Sequence, residues 1–205
     1  MILSDVFRGL PWVEHGFGTR ADVTWPQGMK LATLRQVHSA EILSADAGGA
    51  IGQGDAVISD QPGVLLSVRT ADCLPILMSD IRHRAVSAVH AGWRGTVQEI
   101  GPKTVQAMAD RFGTMPEDLR VAIGPGIGRC CFEVGPEVAV HFGLSGRAKV
   151  DLAETNRRQL VQEGIPASQI VLSGLCTCCD PERFHSYRRD REAAGRMVSA
   201  IGIRA

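Results

Sequence analysis

The sequence predicts an α/β (α+β) fold, a single domain over residues 1–205 in which a mixed β-sheet is packed by helices. Three observations lead there. Short apolar runs bounded by turn residues read as buried strands. Other stretches carry apolar residues at helical spacing. The two kinds of element follow one another without strict alternation. At 205 residues the chain suits one domain, and with 44% hydrophobic residues it can build an ordinary core without covalent staples.

Residues 64–68, 74–78 and 85–90 are rich in Val, Leu, Ile or Ala and are predicted as strands, with 79–84 as the turn between the last two. Thr96 and Glu99 have capping-box spacing and predict a helix start. Val97, Ile100, Thr104, Val105, Met108 and Phe112 recur at helical spacing up to Gly113, a suitable stop. Pro102 lies inside this pattern, so a kink or break is expected near Gly101. Residues 120–123 read as a strand leading into the Gly-rich turn 124–128. Pro136 suits the first turn of a short helix ending near Gly143. Asp151 and Glu154 mark another helix start, with Gly164 as its stop. Residues 170–172 form a short strand, and 176–190 are polar and irregular. Residues 46–54, rich in Gly and Ala, read as a surface loop.

Lys plus Arg and Asp plus Glu number 22 each, so the formal net charge is zero. This argues against a general nucleic-acid or membrane-surface binder but allows a local anion site. The N-terminus shows no basic start followed by a sustained apolar run, and no stretch is long enough to span a bilayer, so a cytoplasmic location is expected. Six cysteines stand at 73, 130, 131, 176, 178 and 179. Without an export signal they are expected to be reduced thiols.

Three segments carry candidate chemistry. His38 sits in Arg35-Gln36-Val37-His38-Ser39. Cys73 follows Asp72 at the mouth of an apolar strand, with Arg69 close by and Pro75 fixing the chain direction. A thiol among charges can ionise, and a thiolate is both a nucleophile and a metal ligand. The bland alternative is a packed structural thiol. His90 precedes Ala91-Gly92-Trp93-Arg94-Gly95, where Trp93 offers a stacking face and Arg94 an anion clamp. Strand–turn–strand geometry puts Cys73 and His90 on neighbouring strands. With His38 as a third vertex they would form a catalytic zinc pattern of two imidazoles, one thiolate and an open fourth position. Such a zinc would polarise an oxygen and acidify a bound water.

The other cysteines fit a zinc site less well. Cys176 and Cys179 have the spacing of a ligand pair, but Cys130 and Cys131 do not, so packed or surface thiols are the expectation. Tyr187 and Arg188, in Phe184-His185-Ser186-Tyr187-Arg188-Arg189-Asp190, read either as part of a solvated charge cluster or as a substrate wall.

Taken together, RQVHS, GDAVIS, PGVLLSVRTADCLPILMSD, AVHAGWRGT, AIGPGIGRCCFEVG and FHSYRRD resemble the YfiH-like family, also called the laccase-domain or polyphenol-oxidase-like family, from about Gly16 to Arg196. The resemblance implies a zinc-dependent purine nucleoside phosphorylase that splits adenosine, inosine and methylthioadenosine and also deaminates adenosine. It implies His38, Cys73 and His90 as metal ligands, and a fold similar to that of cysteine-deamidase toxins. Bacterial members have also been assigned a peptidoglycan-editing amidase role. The sequence departs from the family in three places. The segment between GFGTR and RQVHS is short and lacks a Gly-Gly-Val run, Gly126 replaces a common cysteine, and His185 replaces a common Phe. A multicopper oxidase needs many imidazoles, and six scattered histidines with no His-x-His pair are too few, although thiolate–imidazole sites also accept copper.

The expected partners are therefore a nucleoside and phosphate, with no nucleic acid or membrane; the oligomeric state stays open. Asp72 is the candidate proton shuttle for deamination. Arg35, Arg94 and Arg188 are the candidate phosphate cations. A metal-free amidase with Cys73 as nucleophile and His90 as base is the alternative, and a non-enzymatic interaction protein is the third reading.

Overall fold

The computed structural model describes residues 1–22 and 30–205. The short segment between GFGTR and RQVHS falls partly in 23–29, outside the described residues. In chain order the strands are β1 (Val13–Phe17), β2 (Lys30–Arg35), β3 (Ile42–Ser44), β4 (Gly49–Gln53), β5 (Ala56–Ser59), β6 (Val64–Thr70), β7 (Leu74–Asp80), β8 (Ala85–Ala91), β9 (Leu119–Ile123), β10 (Glu133–Val134), β11 (Ala148–Lys149), β12 (Ile170–Leu172) and β13 (Met197–Ile203). The helices are α1 (Trp93–Val97), α2 (Ile100–Phe112), α3 (Pro136–Ala139), α4 (Leu152–Gln162) and α5 (Tyr187–Asp190).

The expected single mixed sheet is two mixed sheets. One runs β1-β13-β6-β2-β4 and the other β12-β9-β7-β8-β5-β3, with β10 and β11 paired apart. The reason lies in β7 and β8, which are buried at every position. Alternate residues of a strand face opposite ways. Leu77, Val86 and Ala88 face Val64, Leu66, Val68 and Ile201 of the first sheet. Ile76, Met78 and Val89 face Ile100, Val105 and Met108 of α2, with Leu152 and Leu160 of α4 behind them. A sheet covered on both faces reads as continuous apolar runs, and periodicity alone cannot separate it from a single-sided core.

The helical boundaries follow local chemistry. Asp151 caps α4 by accepting from the Glu154 amide at 3.0 Å, as its spacing predicts. Gly113 ends α2 in the left-handed conformation, φ +73°. The expected break comes slightly early: α1 starts at Trp93 behind Gly92, and the chain turns at Glu99, φ +59°. Pro102 then stands in the first turn of α2, where its missing N–H costs no helical bond. The expected loop at 46–54 contains β4, whose outer edge is largely exposed and whose glycines carry no apolar signal. Among the described residues, no helix is long and apolar enough to cross a membrane.

Candidate active site

Antiparallel β7 and β8 pair Leu74 with Ala91 and Pro75 with His90, so Cys73, one residue ahead of β7, sits beside the end of β8. His90 shares its face with Ala88, the face turned to the first sheet. The loop after β2 brings His38 over both. The donor atoms of His38, Cys73 and His90 all lie within 4.8 Å of one another. The two imidazoles meet edge to face, with centroids 4.9 Å apart. His38 and Asp72 both have positive φ, +60° and +89°, so two non-glycine residues at this centre sit in a sparsely populated backbone region.

The residue that organises this cluster, Asp55, has no role assigned to it by the sequence. It stands just before β5, opposite His90, whose amide donates to the Asp55 carbonyl at 2.7 Å. Its Oδ1 accepts from His90 Nδ1 at 2.8 Å and from the His38 amide at 3.0 Å. Its Oδ2 accepts from the Val37 amide at 3.2 Å and from the Ser39 amide and hydroxyl at 2.7 Å each. One buried carboxylate therefore fixes the His38 loop and the orientation of the His90 ring. With Nδ1 committed to Asp55, Nε2 is the His90 nitrogen left for the cluster. The Asp in GDAVIS, between a Gly-rich stretch and an apolar run, was the available signal.

The electrostatics follow. Burial alone would raise the Asp55 carboxyl, but hydrogen bonds from His90 and Ser39 outweigh it and hold the group far below the ordinary carboxylate range. Burial also works against ionisation of Cys73, yet His38 and His90 together lower its thiol to about 6. His90 moves the opposite way. Burial opposes its charge, and the hydrogen bonds to Asp55 and Cys73 overcome that and raise it to about 9. Gly92 keeps the space clear: a Cβ there would stand 2.9 Å from Cys73 Sγ and 3.2 Å from His38 Cδ2. One thiolate and two imidazoles, with one imidazole oriented by a carboxylate, is a donor set that suits zinc and also accepts copper.

The cluster opens into a pocket of about 860 Å³ lined by Arg35, Arg69, Arg188 and Arg196, with Phe132 and Tyr187 on its wall. Four cations face a single lining carboxylate, Asp72, so the cavity favours an anion. Arg188 is held from behind, its Nη1 donating to the carbonyls of Cys131 at 2.9 Å and Glu133 at 3.0 Å. Gln36 brackets the Arg69 backbone through two bonds of 2.8 Å. Arg196 had no sequence signal beyond its charge.

Three of the expected site residues are placed differently from the rest. Trp93 and Arg94 do not line the pocket. As the first residues of α1, they stack on one another, the guanidinium 4.4 Å from the ring, while Trp93 packs on the helical core. Asp72 does line it, but both its oxygens are already engaged: Thr177 Oγ1 donates to Oδ1 at 2.7 Å and the Arg188 amide to Oδ2 at 2.6 Å. Asp72 thus braces the Arg188 segment.

A second group also converges. Cys130, Cys131, Cys176 and Cys179 bring their sulfurs within 4.8 Å of one another, a set able to hold a metal ion. Sequence analysis expects packed or surface thiols; they are free thiols, Cys130 and Cys179 exposed, and the structure adds that four of them come together. A parallel bridge between Gly126 and Cys176 lays the two cysteine segments side by side.

The profile of the family described as multi-copper polyphenol oxidoreductase laccase matches residues 19–204. The chain belongs to this YfiH/YlmD family. Family relatives include a purine nucleoside phosphorylase of Deinococcus radiodurans, 42% identical over 182 residues, which are 84% of this chain and 70% of that protein. The adenosine deaminase RL5 of an unknown prokaryotic organism is 37% identical over 195 residues, 83% of this chain and 74% of its own length. The crystal structure of YlmD from Geobacillus stearothermophilus superposes with a TM-score of 0.82 at 36% identity, covering 86% of this chain and 74% of that one.

Proposed function

We propose that this member of the YfiH/YlmD family is a zinc-dependent purine nucleoside phosphorylase with adenosine deaminase activity in the same pocket. The observation that carries the reading is the convergence of His38, Cys73 and His90 at the floor of an arginine-lined cavity. The names of the Deinococcus relative and of RL5 support the two reactions. His38, Cys73 and His90 would hold the metal, which when bound supplies a Lewis acid able to polarise an oxygen of the reactants.

The chain's own groups do the rest. Phosphorolysis joins a phosphate oxygen to the ribose anomeric carbon and breaks the bond to the purine nitrogen, whose electron pair leaves with the base. Arg35 and Arg188, with Arg69 and Arg196 beside them, neutralise and orient the phosphate. Phe132 and Tyr187 offer faces on which the purine stacks. Asp55 keeps the His90 proton on Nδ1. Among the described residues, only His38 and His90 of the six histidines enter a metal-type cluster, so a multicopper oxidase reading lacks its ligands.

The purified protein with inosine and phosphate is expected to release hypoxanthine and ribose 1-phosphate, and Cys73→Ala is expected to abolish this while keeping its fold. An active Cys73→Ala enzyme overturns the reading. One observation favours a second reading. Asp55, His90 and Cys73 form an ordered carboxylate–imidazole–thiol row in which the thiol sits near 6 and the imidazole near 9, the pairing of a metal-free amidase such as one editing peptidoglycan precursors. Full activity after exhaustive chelation, lost on thiol alkylation, selects that alternative.

A further inference from the structure

Four of the five cysteines outside the active centre come from two segments about 45 residues apart, yet they meet at one point. Cys179 Sγ lies 3.5 Å from Cys130 Sγ and 3.3 Å from Cys131 Sγ. A tetrahedral zinc with bonds of about 2.3 Å needs sulfurs about 3.8 Å apart along every edge. All four sulfurs found here lie within 4.8 Å of one another, and the Cys179 pairs at 3.3 and 3.5 Å are close to that edge. A disulfide would use only two of them and has no need for Cys179 to reach both members of the Cys130–Cys131 pair.

The surroundings are shaped for such a cluster. The Gly128 amide donates to Cys176 Sγ at 3.2 Å, the kind of bond that stabilises a thiolate ligand. A Cβ at Gly128 would stand 3.2 Å from Cys130 Sγ and from Cys176 Cβ, so glycine lets the backbone approach the sulfurs. Cys130 and Cys179 reach the surface, which gives a metal a way in.

We infer that Cys130, Cys131, Cys176 and Cys179 form a second metal site, a closed tetrathiolate for zinc, that clamps the turn after β9 to the segment leading into α5. Four protein ligands leave no open position, so the site is structural rather than catalytic. Its position gives it a task. Cys131 immediately precedes Phe132 and its own carbonyl accepts from Arg188, and the Arg189 guanidinium donates to the carbonyls of Thr177 and Cys178 at 3.0 and 3.2 Å. Fixing the four sulfurs fixes the pocket wall from behind. The site shares no residue with His38, Cys73 and His90, so the two can be counted separately.

The test is metal analysis of protein purified under reducing conditions without chelator. Wild type is expected to carry one more zinc per chain than Cys179→Ser, while Cys178→Ser, outside the cluster, keeps the wild-type content. Cobalt-substituted wild type and Cys73→Ala should show the intense sulfur-to-cobalt charge-transfer absorption of a tetrathiolate, and Cys179→Ser should lose it. If Cys179→Ser does not fold, titrating Cys73→Ala with a mercurial should release its one zinc in step with the loss of the four clustered thiols. Unchanged metal content and cobalt spectrum in folded Cys179→Ser overturn the inference. So does zinc release tied to fewer thiols, or a disulfide among the four found by mass spectrometry of unreduced protein.

Discussion

Replacing Asp55 by Asn keeps the shape of the side chain and changes one acceptor into a donor. Five donors converge on the native carboxylate: the amides of Val37, His38 and Ser39, the Ser39 hydroxyl and His90 Nδ1. An amide oxygen turned toward Val37 and Ser39 keeps that side. Its NH2 then faces the His38 amide and His90. The His38 N–H has no escape, and a buried donor left unsatisfied costs about 1–3 kcal/mol. Exchanging charge-assisted bonds for neutral ones adds roughly another 1 kcal/mol. His90 can respond by moving its proton from Nδ1 to Nε2, which removes the lone pair offered to the cluster. Lost outer-shell partners of this kind cost about 10- to 100-fold in metal affinity. Asp55→Asn is therefore expected to lose about 2–4 kcal/mol in urea unfolding of the metal-free protein, and to bind zinc at least ~10-fold more weakly in competition with a chelator. Wild-type stability together with wild-type zinc affinity would refute the assignment of Asp55 as organiser of the site.

Three further outcomes are expected. The metal-free protein should react with iodoacetamide at Cys73 at a rate that climbs through a pH of about 6 and then levels; an inflection near the ordinary thiol value of about 8.5 contradicts the Cys73–His38–His90 coupling. Gly92→Ala keeps an allowed backbone, φ −76°, but sets its methyl against Cys73 and His38. It should lose ~10-fold or more of zinc affinity at a stability cost of about 1–3 kcal/mol, and unaltered zinc binding would disprove the tight fit. Asp55 and Asp80 have folded-state pKa values below their unfolded ones, in each case because hydrogen bonds outweigh burial. Their stabilisation is complete above the unfolded value of about 3.9 and drains away as pH falls below it. The melting temperature should thus drop steadily from about pH 5 to about pH 2.5, and a flat or rising profile argues against these two carboxylates as native-state anchors.

Much of the centre of the molecule was legible because it is written locally. The apolar runs of β6, β7 and β8, the Asp151 cap and the Gly113 stop are short-range signals, and the tight turn between β7 and β8 brings Cys73 and His90 together by itself. What escaped depends on contacts between distant segments. Asp55 acts on His90, 35 residues onward, through a cross-strand pair that no sequence period marks. The four-cysteine cluster needs the Gly126–Cys176 bridge before its two halves share a site. Trp93 and Arg94 look like ligand groups beside a histidine, but the start of α1 turns them onto each other and the helical core. The second sheet was hidden because β7 and β8 are covered on both faces and so lose the alternation that would have revealed two layers.

The proposed activity depends on a cation joining His38, Cys73 and His90. Anomalous diffraction at the zinc edge, on crystals of protein that cleaves inosine, addresses this directly. The expected result is a peak within bonding distance of Cys73 Sγ and both imidazoles, which disappears together with phosphorolysis on chelation and returns with it when zinc is restored. No density at that point in fully active crystals would contradict it.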